Sequence, residues 1–200
     1  MTKEGYVKYT AKHTTAPAVN FPQWEELNKA RTHLHDLGLV GITKEGIGFG
    51  NLSLRYRDSE FIITGTSTGE KRILSPDEYC LINSIDIIRN YVTSSGPVQA
   101  SSESMTHGSV YNSCPGANCV IHIHSRVIFD CMIRDKYPST PKNAAFGTPE
   151  IALAIGDCIQ SGKDEGQIVM AGHDEGVITY GANIETAMKL ILELYEKYIG

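Results

Sequence analysis

The run VIHIHS at 120–125 sets His122 and His124 two positions apart in a β-branched, apolar segment. Alternate side chains of a strand emerge on one face, so both imidazoles point the same way and one metal ion can reach both. Burying two neutral imidazoles side by side requires partners, because each ring nitrogen needs a hydrogen bond or a metal. The spacing alone leaves two readings open, a metal pair or hydrogen-bonded core histidines. The chain supplies its own control in THLH, where His33 and His35 have the same spacing inside a predicted helix, in which i and i+2 diverge. Those two read as surface or interface histidines. His13, near the amino terminus, has no feature that points to function.

A divalent site needs a third protein ligand. His173 in MAGHDEGVITYG is the candidate, since it ends one strand-like run just before another begins at Gly176 and its loop can fold onto the pair. Taken alone it reads as a turn histidine beside Asp174 and Glu175. Three neutral ligands leave a zinc ion its full charge and an open position, which suits a Lewis acid for an oxygen-rich substrate rather than a structural staple. Glu103 in VQASSESMTHG falls in the first turn of a predicted helix, after two serines able to cap it. A carboxylate there serves the helix dipole, or acts as acid/base beside the metal. His107, one turn on and on the same face, reads as a hydrogen-bonding support or a packing residue.

Two stretches have the makings of an anion cradle. GTSTGEK (65–71) follows a strand with Gly, Ser and Thr, whose amides and hydroxyls can wrap an anion, and Lys71 supplies a counter-charge. It lacks P-loop spacing. GFGNLSLRY and the Ser101–Ser102 pair add further small donors near a helix start. Phosphate and carboxylate both fit such donors.

The elements that must position these residues can be read from periodicity. Trp24, Leu27, Ala30, Leu34 and Leu37 recur at helical spacing, with Gly38 and Gly41 supplying a stop. Strand-like runs follow at 51–56, 61–66, 79–92, 118–124, 167–172 and 176–180, and helices are predicted at 102–113, 125–135, 149–161 and 183–198. Strands cluster early with few βαβ alternations, which predicts an α/β fold: one α/β/α layered domain with a central, largely antiparallel sheet. Residues 1–20 read as a loosely ordered amino-terminal segment, 21–200 as the domain, and 135–143 as a second loose stretch.

Composition narrows the function class. Two hundred residues, 41% of them hydrophobic, support one sizeable core. The net charge of −5 comes without a long run of like charge, which speaks against a nucleic-acid groove or a membrane-surface patch. No apolar stretch approaches the roughly 18 residues of a membrane span and the amino terminus has no apolar signal region, so a cytoplasmic protein is expected. The five cysteines include no CxxC pair and read as structural.

GNLSLRY, IITGTSTG, SSE, HIHS and a later GH before GVITYG, in that order, resemble the class II aldolase/adducin family from about Trp24 to the carboxyl terminus. The resemblance implies that family's α/β fold and a homotetramer with active sites at subunit interfaces. It implies zinc, or another divalent metal, on His122, His124 and His173, with Glu103 as the catalytic acid/base. A substrate phosphate would lie on Asn51, Thr68, Gly69, Ser101 and Ser102. The implied activity is a zinc-dependent aldolase acting on a small phosphorylated ketose through a metal-stabilised enediolate. The alternatives are an epimerase or dehydratase with the same metal site, or a non-catalytic adducin-like binding or scaffold protein. Two departures stand out: Asp174 and Glu175 intervene where the family commonly has glycine after the third histidine, and the segment after the HxH strand is short. In aldolases that segment carries a tyrosine that protonates the leaving group. Tyr137, Tyr195 and Tyr198 cannot be aligned with that role from sequence.

Overall fold

The computed structural model describes residues 8–159 and 162–200. In chain order the strands are β1 (Thr10–Thr15), β2 (Gly41–Ile42), β3 (Gly48–Phe49), β4 (Asn51–Arg57), β5 (Glu60–Thr64), β6 (Tyr79–Asp86), β7 (Tyr91–Gly96), β8 (Cys119–His124), β9 (Gly166–Val169) and β10 (Gly176–Gly181). The helices are α1 (Trp24–Asp36), α2 (Ser104–Ser113), α3 (Arg126–Arg134), α4 (Pro149–Cys158) and α5 (Ile184–Tyr198). Eight strands form one sheet in the order β1-β7-β6-β5-β4-β8-β10-β9, while β2 and β3 form a separate short ribbon. Every pairing in the large sheet is antiparallel except β1 with β7.

Side-chain parity divides the core in two. Leu52, Ile62, Ile121, Ile123 and Val177 pack with α1, α3 and α5 on one face. Phe61, Ile63, Ile82, Val120 and Ile178 pack with α2 and α4 on the other. The sheet is covered on both sides, the α/β/α layering expected from the clustering of strands. In β8 the alternation assigns Ile121 and Ile123 to the first face and therefore His122 and His124 to the face of α2 and α4.

Local chemistry sets the ends of these elements. After α1, Gly38 takes φ +70°, its N–H bonds the His35 carbonyl, and the Leu39 N–H reaches back to the Leu34 carbonyl at 2.9 Å, a Schellman closure. Ser125 caps α3 by accepting from the Ile128 N–H, and Asn183 caps α5 by accepting from the Thr186 N–H. The long run at 79–92 divides into β6 and β7, because Asp86 accepts from the Arg89 N–H and Asn90 adopts φ +51°, turning the chain into a hairpin.

Three expectations change in the folded chain. Residues 10–15, read as loose, form β1, which finds the open edge of β7 and pairs with it from Thr10↔Tyr91 to Thr15↔Gly96; residues 1–7 of that segment lie outside the described residues. The 135–143 stretch is also tied down. Thr140 N–H donates to the Val169 carbonyl, Val169 N–H donates to the Pro138 carbonyl, and Thr140 is buried. The helix read at 149–161 ends at Cys158, and residues 160–161 lie outside the described residues.

Candidate functional site

His122 and His124 emerge at the carboxyl end of β8, where Asn51 of β4 pairs with His122 and Gly176 of β10 pairs with His124. Gly176 is small for a reason: a Cβ there would stand 3.1 Å from His122 Cε1 and 3.0 Å from the His173 carbonyl. The β9–β10 connection is closed by bonds from the His173 N–H to the Met170 carbonyl and from the Gly176 N–H to the His173 carbonyl. That turn brings the third imidazole over the pair. One ligand atom from each of His122, His124 and His173 lies within 4.8 Å of the others, and all three residues are buried.

The Nδ1 of His122 lies 3.1 Å from the Val177 carbonyl, which can only accept, so that nitrogen carries the proton and Nε2 presents its lone pair. This Nε2 is 3.1 Å from His124 Nε2. Two nitrogens on one tetrahedral zinc stand about 3.3 Å apart, so the pair already has the spacing of adjacent ligands. Burial, and after it the neighbouring His173, hold the His122 pKa down at about 3. Burial followed by His122 holds His124 well below the ordinary imidazole value. Both rings are therefore neutral, the form a metal requires.

Glu103 stands at the amino end of α2, its backbone N–H bonded to Ser101 Oγ. Its Oε2 accepts from Thr106 Oγ1 at 2.8 Å, whereas Oε1 is buried without a hydrogen-bond partner, 3.6 Å from His173 Nδ1. An orphaned carboxylate oxygen beside a cluster of buried imidazoles is costly in an apolar interior. It is the arrangement expected where a cation and a polar substrate complete the set. The donor set and its spacing fit a divalent ion.

Next to this cluster opens a cavity of about 230 Å3 lined by Gly48, Asn51, Thr66, Ser67, Thr68, Gly69, Ser101 and Ser102 among others. All five residues carried over as phosphate contacts lie on its wall. Among the described residues no lining side chain is charged. Lys71, read as a counter-charge, instead pairs with Glu78, because Ser75 holds that carboxylate in place at the start of a 3-10 turn. Ser67 bends the loop at φ +57°, and Arg31 of α1, almost wholly buried, donates to the carbonyls of Thr68 at 2.8 Å and Lys71 at 2.6 Å. In a planar peptide the N–H opposes the C=O, so anchoring the Thr68 carbonyl turns the Gly69 N–H away from Arg31. Gly69 is obligatory, since a Cβ there would overlap the Gly41 carbonyl oxygen.

The remaining candidates fall outside the cluster. Asp174 and Glu175 turn outward to Arg126, with Glu175 at φ +66°, and so do not add carboxylates to the histidines. Tyr137 and Tyr198 are tied to Lys197 and Asp135. Tyr195 lines a second cavity of about 300 Å3 that shares Phe49 and His124 with the site. His33 is exposed and His35 half-buried on α1, and His13 bonds Ser94. All five cysteines are unpaired. Phe146, which stacks on His173 with ring centroids 4.8 Å apart and planes at 26°, escaped the sequence reading, and so did Arg31. Neither has a local signal. A phenylalanine before a Gly-Thr-Pro turn and an arginine within an amphipathic helix both look unremarkable in one dimension.

Comparison with known proteins agrees with this fold. L-fuculose phosphate aldolase of Haemophilus influenzae is 31% identical over 165 residues, covering 72% of this chain and 68% of that protein. Among solved structures, L-fuculose-1-phosphate aldolase from Thermus thermophilus superposes with a TM-score of 0.62 at 21% identity, covering 86% and 89% of the two chains. YgbL from Klebsiella pneumoniae gives 0.63 at 18% identity over 86% and 84%. At those identities the structural likeness is one of fold. The profile described as Class II Aldolase and Adducin N-terminal domain matches residues 25–197, and with the curated relative it establishes that the chain belongs to the class II aldolase and adducin family.

Proposed function

We propose that this protein is a metal-dependent lyase of the aldolase type that cleaves or forms a carbon–carbon bond in a small phosphorylated ketose. The observation that carries this reading is the convergence of three buried imidazoles, with the orphaned Oε1 of Glu103 3.6 Å from His173, beside a cavity walled by uncharged residues. The similarity to a fuculose phosphate aldolase supports the substrate class.

In this reading His122, His124 and His173 hold a divalent cation, zinc being the expected one. When bound, the ion would supply positive charge where negative charge develops on the substrate as the bond breaks. Glu103 is the acid/base: Thr106 anchors Oε2, which leaves Oε1 to take or return the proton at the reacting carbon. Asn51, Thr68, Gly69, Ser101 and Ser102 grip the phosphate end through amides and hydroxyls, fixing where the reacting carbons lie relative to Glu103. Phe49 and Phe146 border the cluster and exclude water from it.

Metal analysis tests the site. Stoichiometric zinc in the native protein, lost in a His122→Ala/His124→Ala variant that still folds, is expected; a metal-free, fully folded native protein would favour a scaffold role. A panel of ketose phosphates assayed for aldehyde release, epimer formation and loss of water then separates aldolase from epimerase and dehydratase.

A further inference from the structure

Lys8 and Tyr9 lie ahead of the family-matched residues 25–197, yet their side chains reach both halves of the site. The Lys8 ammonium stands 3.6 Å from the centroid of the Phe146 ring and donates to the Phe146 carbonyl at 2.9 Å. Phe146 in turn stacks on His173. The Lys8 stem lies along Gly147, which has φ +69° and where a Cβ would meet Lys8 carbons at 3.1–3.3 Å. The Lys8 carbonyl is held by the Asn90 side chain. Tyr9 is buried in the core layer that contains Ala100 and Ala144, and its hydroxyl donates to the Ser101 carbonyl at 2.8 Å. That carbonyl also accepts from the Ser104 N–H and hydroxyl, so it is fully engaged on the side of α2.

We propose that this dipeptide is a clasp with two separable positioning roles: Lys8 holds Phe146 against His173 and so fixes the third metal ligand, while Tyr9 holds the Ser101 carbonyl and so shapes the anion cradle. The physical basis is the same at both ends. A ligand ring or a donor loop binds well only when its alternative orientations are removed before binding. A cation on an aromatic face and a hydroxyl on a carbonyl are directional contacts that do so. β1 pairs with β7 immediately after the dipeptide, which anchors the clasp to the sheet. The Lys8 role rests on the assignment of the three histidines as metal ligands; the Tyr9 role does not.

The test uses full-length variants and two probes, zinc alone and inorganic phosphate alone. Lys8→Met keeps the stem and removes the charge, and it is expected to weaken zinc affinity about tenfold, measured against a chromophoric chelator, with Lys8→Arg restoring most of the loss. Tyr9→Phe keeps the ring; it is expected to leave zinc affinity unchanged and to weaken phosphate binding to the metal-free protein by about three- to tenfold. Equal zinc affinity in wild type and Lys8→Met overturns the Lys8 role alone. Equal phosphate affinity in wild type and Tyr9→Phe, or none in either, overturns the Tyr9 role. Parallel losses of both affinities in both variants, in step with melting temperature, overturn the clasp in favour of plain structural support. A wild type that takes up no zinc overturns the metal assignment and the Lys8 role with it, while phosphate still decides Tyr9.

Discussion

Glu103 has one oxygen committed and one oxygen free, and that asymmetry defines its expected behaviour. Glu103→Gln preserves the bond to Thr106 but removes the proposed base, so turnover should fall by about a hundredfold or more, with metal content unchanged in elemental analysis. Behind it, His107 is fully buried, with Nδ1 2.7 Å from Ser53 Oγ, which in turn lies 2.7 Å from the Tyr111 hydroxyl. Burial lowers the His107 pKa to about 3 from an unfolded value near 6.5. A folded-state value below the unfolded one means that the unfolded chain takes up the proton first. The contribution of His107 is therefore complete above about pH 6.5 and is lost as pH falls from there toward 3. Urea midpoints of the metal-free protein should drop over that range, less steeply in a His107→Gln variant. The His122–His124 parity was legible from two-residue spacing, since a strand permits one answer. Phe146 was not, because stacking on His173 depends on a loop crossing another loop far along the chain.

At the scale of elements, the proposed anion cradle rests as much on α1 as on the glycine-rich loop that lines the cavity. Arg31 ties the carbonyls of residues 68, 71 and 72 from behind, and Arg31→Met leaves them without that donor in a buried setting. A loss of about 3 kcal/mol in urea unfolding is expected, with weaker phosphate binding. The sequence marked 65–71 as an anion loop from its small residues but misread Lys71, because a flexible lysine takes whichever carboxylate is nearest and the folded chain presents Glu78. β1 was missed for a related reason. Its residues are polar and exposed, and what makes them a strand is the open edge of β7, which no local pattern reveals.

For the whole molecule, the sheet is closed off on both faces by helices, yet Ile42, Ile73, Val127, Leu153 and Ile199 remain exposed. Ile199 lines the second cavity beside Tyr195 and His124. The sequence resemblance leads us to expect an assembly with sites near subunit boundaries, and light scattering should report one larger than a dimer. A stable, active monomer would count against the interfacial arrangement. No helix among the described residues is long and apolar enough to cross a membrane.

Sequence alone determined the alternation that puts two histidines on one face, the helical stripes, the donor-rich loops and the order of motifs, because these follow from periods of two and 3.6 residues and from side-chain chemistry. Only the tertiary structure decided that His173 closes onto the pair, that Asp174, Glu175 and Lys71 turn elsewhere, and that Lys8 meets Phe146, Tyr9 meets Ser101, Arg31 meets Thr68 and Phe146 stacks on His173. Those outcomes depend on which segments meet after the sheet has formed, and contacts between residues far apart along the chain leave no trace in local spacing.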